Sequence, residues 1–186
     1  MIRVRLILQL YSIVMQKISL VILAFVLSGT TAFAQTQFEV LPDNDGGKIF
    51  KGLITRSLLE KDTSFKWYAE NLKGYRLNPG GLDILKKNVD SVRFIVFMGT
   101  WCEDSHNIVP KFFAFADAAG LSKERVSLIG VDRAKKTLDG LSEALNIINV
   151  PTILVMKNGK EIGRVVEYGK YGLFDKEVGE IIAAGD

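Results

Sequence analysis

The run Arg93-Phe94-Ile95-Val96-Phe97-Met98 constrains the fold more than any other stretch of this chain. After one charge it is continuously apolar, short, and rich in aromatic and β-branched residues. Such a run reads as a strand buried on both faces. Gly99-Thr100-Trp101 breaks it, and an amphipathic pattern follows. Ile108, Val109, Phe112, Phe113, Phe115, Ala116 and Ala119 recur at helical spacing and predict a helix over 105–119. Pro110 removes a bond to the His106 carbonyl and predicts a kink one turn in. Between strand and helix stands Cys102, the only cysteine, four residues before the only histidine, His106. A thiolate is favoured at a helix N-terminus, where free N–H groups and the macrodipole supply partial positive charge.

A single cysteine excludes an intramolecular disulfide scaffold and a Cys-rich zinc site. It leaves an inert thiol, a reactive thiol or an intermolecular bridge. Asp104 and Glu103 oppose a thiolate at Cys102, whereas a protonated His106 favours it. Cys102 and His106 alone offer too few ligands for a metal ion. No metal and no cofactor is expected.

The chain has 186 residues, 48% of them apolar, enough for one core plus an extension. Residues 1–34 read as a secretory signal peptide. Lys17 precedes the apolar segment Ile18–Leu27, Ser28-Gly29-Thr30-Thr31 is a polar neck, and Ala32-Phe33-Ala34 is a small-x-small cleavage site. The apolar segment is short for a membrane span, and an uncleaved anchor is the alternative. No cysteine follows it, so lipid attachment there is excluded. Met15 is an alternative start. The formal charge of +3 resides in this leader: without it, 21 basic side chains face 21 acids. A neutral mature chain gives no electrostatic case for nucleic acid.

Residues 35–89 read as an N-terminal extension, partly helical. Gln35–Lys51 is expected to be a loosely ordered lead-in with a turn at Asp43-Asn44-Asp45-Gly46-Gly47. Leu58, Leu59, Phe65, Tyr68 and Leu72 predict a helix over 57–72, with Trp67 off its apolar face. Asn78-Pro79-Gly80-Gly81 reads as a stop, and 82–88 as a short helix with Leu82 and Leu85 inward. In 90–186, Val126–Asp132 is a second strand, with Asp132 as a turn or cap and Arg133–Lys136 as a solvated basic run. Leu138, Leu141, Ala144 and Leu145 mark a short helix. Ile153–Met156 and Glu161–Glu167 form a hairpin about Asn158-Gly159, and a helix closes the chain around Leu173–Ile182. The order β-α-β-α-β-β-α implies an α/β core, a central mixed sheet flanked by helices.

At this point the chain resembles the thioredoxin superfamily, over roughly 90–184. The resemblance rests on Trp101-Cys102-x-x-Ser105 after a buried strand, Pro110, Val150-Pro151-Thr152 before a strand, and the Lys157-Asn158-Gly159 hairpin. It implies a thioredoxin-like fold in 90–186, with Cys102 as the attacking thiol. It implies that Pro151 is a cis-proline facing that thiol, that Val150 contacts bound polypeptide through its backbone, and that Trp101 flanks the site. Ser105 stands where the family's resolving cysteine belongs, Val96 where its buried acid belongs, and Asp104 where its motif proline belongs. An alcohol cannot replace a thiolate in exchange, although Ser105 can donate a hydrogen bond to Cys102. The expected activity is therefore monothiol thiol–disulfide exchange or isomerisation through Cys102, with Ser105 beside it and Trp101, Val150 and Pro151 holding substrate. Expected partners are protein disulfides or small thiols such as glutathione. The alternative is a redox-inactive module that binds extended polypeptide or a protein partner. A monomer, exported to the periplasm or the cell exterior, is expected.

Overall fold

The computed structural model describes residues 15–18 and 37–185. Residues 15–18 form one helical turn. Most of the leader, including its cleavage site, lies outside the described residues.

The rest is organised around the apolar run. It forms strand β3 (Val92–Met98), with β1 (Phe38–Pro42), β2 (Lys48–Ile54), β4 (Val126–Gly130), β5 (Thr152–Lys157) and β6 (Lys160–Val166) in one six-stranded sheet of order β1-β2-β4-β3-β5-β6. β3 and β4 are parallel; every other neighbouring pair is antiparallel. β3 is continuously apolar because alternate side chains enter two cores. Phe94, Val96 and Met98 pack in one with the helices; Phe97 packs in the other with Ile129, Val131, Ile147, Val150 and Leu154.

The helices are α1 (Arg56–Lys61), α2 (Trp67–Glu70), α3 (Pro79–Asn88), α4 (Glu103–Ala119), α5 (Leu141–Ala144) and α6 (Phe174–Ala184). α4 buries Ile108, Val109, Phe112, Phe113, Phe115 and Ala116 against the larger core and runs on through Pro110. Gly120 ends it in the left-handed conformation, φ 78°, and the next amide, Leu121, donates back to the Ala116 carbonyl at 3.0 Å. The β5–β6 hairpin turns on Asn158 and Gly159, φ 51° and 75°, as its sequence predicts.

Four local expectations are corrected. The lead-in is instead the β1–β2 hairpin, with the Asp43–Gly47 cluster as its turn. Its alternation was obscured by Gly52, which packs in the sheet without a side chain. The helix over 57–72 is two short helices. Asp62 interrupts it, accepting hydrogen bonds from the Ser64 amide at 3.0 Å and the Ser64 hydroxyl at 2.6 Å. Asn78-Pro79 starts a helix: Asn78 caps α3 by accepting from the Gly81 amide at 2.9 Å, and Pro79 occupies the first turn. The helix near 138–145 shrinks to α5, and Leu138 and Leu141 are exposed.

Asp175, 2% exposed, ties the start of α6 to the segment before α3. Its Oδ2 accepts from the Tyr75 hydroxyl at 2.8 Å and the Asn78 amide at 2.7 Å. Asp175→Ala orphans both donors and should cost about 2 kcal/mol, read as a lower urea midpoint.

Candidate active site

The site is a strand end, a turn and a helix start. β3 delivers the chain to Gly99, and the Cys102 amide closes the turn by donating to the Gly99 carbonyl at 3.0 Å. Cys102 is the N-cap of α4, in extended conformation, φ −99° and ψ 121°. Its carbonyl accepts the first helical bond, from the His106 amide at 3.0 Å. The thiol is half-buried and free. Its Sγ donates to the Val150 carbonyl at 3.2 Å.

Val150-Pro151 is a cis peptide bond. The loop that carries it is fixed on both sides. The Glu167 amide donates to the Pro151 carbonyl at 2.7 Å, and the Thr152 hydroxyl donates to the Asn149 carbonyl at 2.7 Å. Trp101, Cys102 and Val150 share one apolar cluster. Cys102, Trp101, Val150 and Pro151 therefore come together from two segments nearly fifty residues apart.

Ser105 is placed differently. It is fully buried on the first turn of α4, and its Oγ accepts from the Gly99 amide at 3.2 Å. Among the described residues no hydrogen bond joins it to Cys102. Its position braces the turn from inside. Val96 lies in the larger core with no exposure, so the family's acid position is filled by hydrocarbon.

The turn is also held from outside. The buried Thr100 hydroxyl donates to the Lys48 carbonyl at 2.7 Å and accepts from the Phe50 amide at 3.1 Å, which ties the turn to β2. The Trp101 indole N–H donates to the Val131 carbonyl at 3.0 Å. The Arg133 guanidinium lies over that indole, 5.4 Å from the ring centroid. Arg133 in turn pairs with Asp43 at 2.7 Å and with Asp45, both on the β1–β2 turn. The basic run is thus not merely solvated. Lys51 pairs with Asp132 at 2.9 Å, and Asp132 accepts from the Ala134 and Lys136 amides, forming the turn its position predicts.

His106 does not act as a cation beside the thiol. Its ring stacks on Trp67, centroids 4.1 Å apart and planes 13° from parallel. Its Nε2 lies 2.8 Å from the Thr100 carbonyl. A carbonyl only accepts, so Nε2 carries the proton and Nδ1 the lone pair. Burial pushes its pKa below the ordinary 6.5, against the opposing pull of the Thr100 carbonyl and Glu103. A depressed histidine value means that the folded chain resists a proton the unfolded chain accepts. The His106 contribution is therefore fully present above pH 6.5 and is lost as the pH falls below it. Urea midpoints from pH 7.5 to 5 should show that decline, and His106→Gln should flatten it.

Tyr168 also reaches the site. Burial first, then the neighbouring Asp104 carboxylate and the negative charges of Cys102 and Glu103, push its phenol above the usual value. Asp104, Glu103 and Tyr168 make the solvent side of the thiol acidic and aromatic. Among the described residues, no group of three or more His, Cys, Asp or Glu is placed to hold a metal ion.

Trp67, Thr100 and Arg133 escaped sequence reading as site residues. Trp67 and Thr100 carry no local signal, because their partners are distant in the chain. For Arg133 a signal existed, in the acidic pair of the Asp43–Gly47 turn.

A strand, a tight turn bearing a thiol at a helix start, and a cis-proline loop against that thiol are arranged as in thioredoxins. No family model matches the chain. Over 93 residues it is 30% identical to a thioredoxin from Echinococcus granulosus, a match spanning 49% of this chain and 81% of that protein. The chain belongs to the thioredoxin superfamily. Among solved structures, a protein of unknown function from Pseudomonas aeruginosa superposes with a TM-score of 0.51 at 17% identity, covering 70% of this chain and 91% of that one. That likeness is one of fold alone. A thioredoxin from Fasciola hepatica, 22% identical, covers 56% of this chain and 89% of its own with a TM-score of 0.37.

Proposed function

We propose that this is an exported thioredoxin-like protein that carries out monothiol thiol–disulfide exchange through Cys102. The observation that supports this reading is the half-buried Cys102 thiol at the N-cap of α4, 3.2 Å from the Val150 carbonyl of the cis-proline loop. In the first step the Cys102 thiolate attacks one sulfur of a partner disulfide. A mixed disulfide forms and the partner's other sulfur leaves as a thiolate. In the second step an external thiol such as glutathione attacks the mixed disulfide, frees Cys102 and takes its place on the partner. Trp101 and Val150 flank the path of approach, and Ser105 keeps the turn in shape without joining the exchange.

Export rests on the leader sequence, Lys17 followed by Ile18–Leu27 and Ala32-Phe33-Ala34. Protein disulfides persist outside the cytosol, so a thiol in the periplasm or beyond the cell meets oxidised partners. Incubation with oxidised glutathione should leave one glutathionyl group on Cys102, read by intact and peptide mass spectrometry. Absence of any adduct on Cys102 refutes the exchange reading.

A second reading is favoured by one observation: Ser105 is buried in a structural bond to Gly99, so no resolving group faces Cys102. The protein then acts as a redox-inactive binding module for extended polypeptide beside Pro151. Partner capture that survives Cys102→Ser unchanged selects this reading over exchange.

A further inference from the structure

One wall of the thiol site rests on a buried acid. Glu177 on α6, 5% exposed, accepts from the Lys170 amide at 2.6 Å. Gly169, φ 70°, lies so close to that carboxylate that a Cβ there would collide with it. At the other end of this loop, the bond from the Glu167 amide pins the chain to Pro151. Residues 167–170 are therefore a fixed loop, and it carries Tyr168 to the mouth of the site. The Tyr168 phenol lies beside the Asp104 carboxylate and within electrostatic reach of Cys102 and Glu103.

Glu103 and Asp104 open α4 directly after Cys102, where the helix N-terminus favours ionised carboxylates. Glu103 is exposed and Asp104 half-buried. Among the described residues, neither pairs with a lysine or an arginine. His106, which faces Glu103, stays neutral above pH 6.5. Arg133, over the Trp101 ring, is outnumbered by its own partners, Asp43 and Asp45. Lys170 is exposed at the end of the Tyr168 loop and forms no ion pair with either acid. The approach to the sulfur is thus negative, and two of its charges stand without a counter-ion.

We propose that Glu103 and Asp104 are specificity-determining residues for exchange at Cys102 and select disulfides with positive charge beside the sulfurs, as where lysine or arginine flanks a cystine in a polypeptide. The inference rests on the exchange reading. The Cys102 thiolate forms a bond to one partner sulfur, the partner's disulfide bond breaks, and its other sulfur departs as a thiolate that takes a proton from water. On the way, one negative charge is spread over three sulfurs beside two carboxylates. An ammonium or guanidinium on the partner offsets that accumulation, whereas a carboxylate on the partner adds to it. A neutral partner does neither. Oxidised glutathione, whose net charge is negative, should still form its adduct, but more slowly than a cationic disulfide.

The test compares the rates at which cystamine, hydroxyethyl disulfide and dithiodipropionate leave an adduct on Cys102. They are a dication, a neutral molecule and a dianion. Each rate is followed by intact mass spectrometry at low salt and divided by the rate of the same disulfide with dithiothreitol, an uncharged thiol. On this scale cystamine should exceed dithiodipropionate at least about tenfold, with the neutral disulfide between them. About 0.5 M sodium chloride should compress the ratio. Glu103→Gln combined with Asp104→Asn should bring it to within about twofold of unity, and either change alone should give an intermediate value. Equal normalised rates for the wild type, or a ratio that survives both substitutions, overturns the proposal and leaves exchange intact. No adduct from any of the three disulfides refutes the exchange reading and the proposal with it.

Discussion

Ser105→Cys is expected to turn a single-thiol protein into a turnover catalyst. With dithiothreitol as terminal reductant, the variant should reduce insulin disulfides at least about tenfold faster than the wild type. The argument is one of placement. Residue 105 follows Cys102 by three positions on the first turn of α4, so the two side chains leave the same end of the same helix. A thiol there can attack the mixed disulfide that Cys102 forms, release the partner, and leave a disulfide that the reductant clears. Ser105 has no exposure and accepts from the Gly99 amide, so a second thiol there sits protected from outside oxidants. Val96 supplies no acid to move the proton of a buried thiol, so turnover should stay below that of a protein with both features. A variant no faster than the wild type means that residue 105 stays turned to Gly99 and does not reach the mixed disulfide on Cys102.

Gly130→Ala is expected to be the most damaging single methyl addition in the sheet. Gly130 ends β4 opposite Gly52, where β2 passes across it. A Cβ at residue 130 collides with the Phe50 carbonyl oxygen and carbon, which are backbone and cannot rotate away. Overpacking against backbone should cost about 3 kcal/mol or more. For a unit of this size that lowers the thermal midpoint by roughly 6–12 °C. Gly47 offers the contrast, since a Cβ there meets only Asp43 at ordinary distances, 3.8 and 3.9 Å, and the change should be nearly silent. Thermal melts of both variants by circular dichroism give the comparison.

What could be read from the sequence was what is written locally. β3, α4 and the Asn158-Gly159 hairpin follow from contiguous patterns in hydrophobicity and turn chemistry, and the family motif placed Cys102, Val150 and Pro151 in one frame. The β1–β2 hairpin was lost because Gly52 interrupts its alternation and its pairing partner, β4, lies more than seventy residues on. The place of Ser105 depends on a contact of the same kind. Spacing puts it on the same turn as Cys102, but only packing decides that its hydroxyl faces Gly99. His106 shows the same limit. Its distance from Cys102 in sequence suggested a charge for the thiol, whereas a stacking partner from α2, Trp67, takes it out of water and keeps it neutral.

The attachment of Thr100 to β2 carries a consequence for how the reactive turn comes apart. Thr100 is bonded to Lys48 and Phe50, and its carbonyl holds His106, which rests on Trp67. The four residues around the thiol are therefore not a loop with a private opening. To loosen them, the chain must release a strand some fifty residues earlier. Fraying of the β1–β2 hairpin and release of the thiol-bearing turn become a single cooperative event. An injury to β2, remote from Cys102 in sequence, is thus transmitted to the sulfur as a change in how often it is set free.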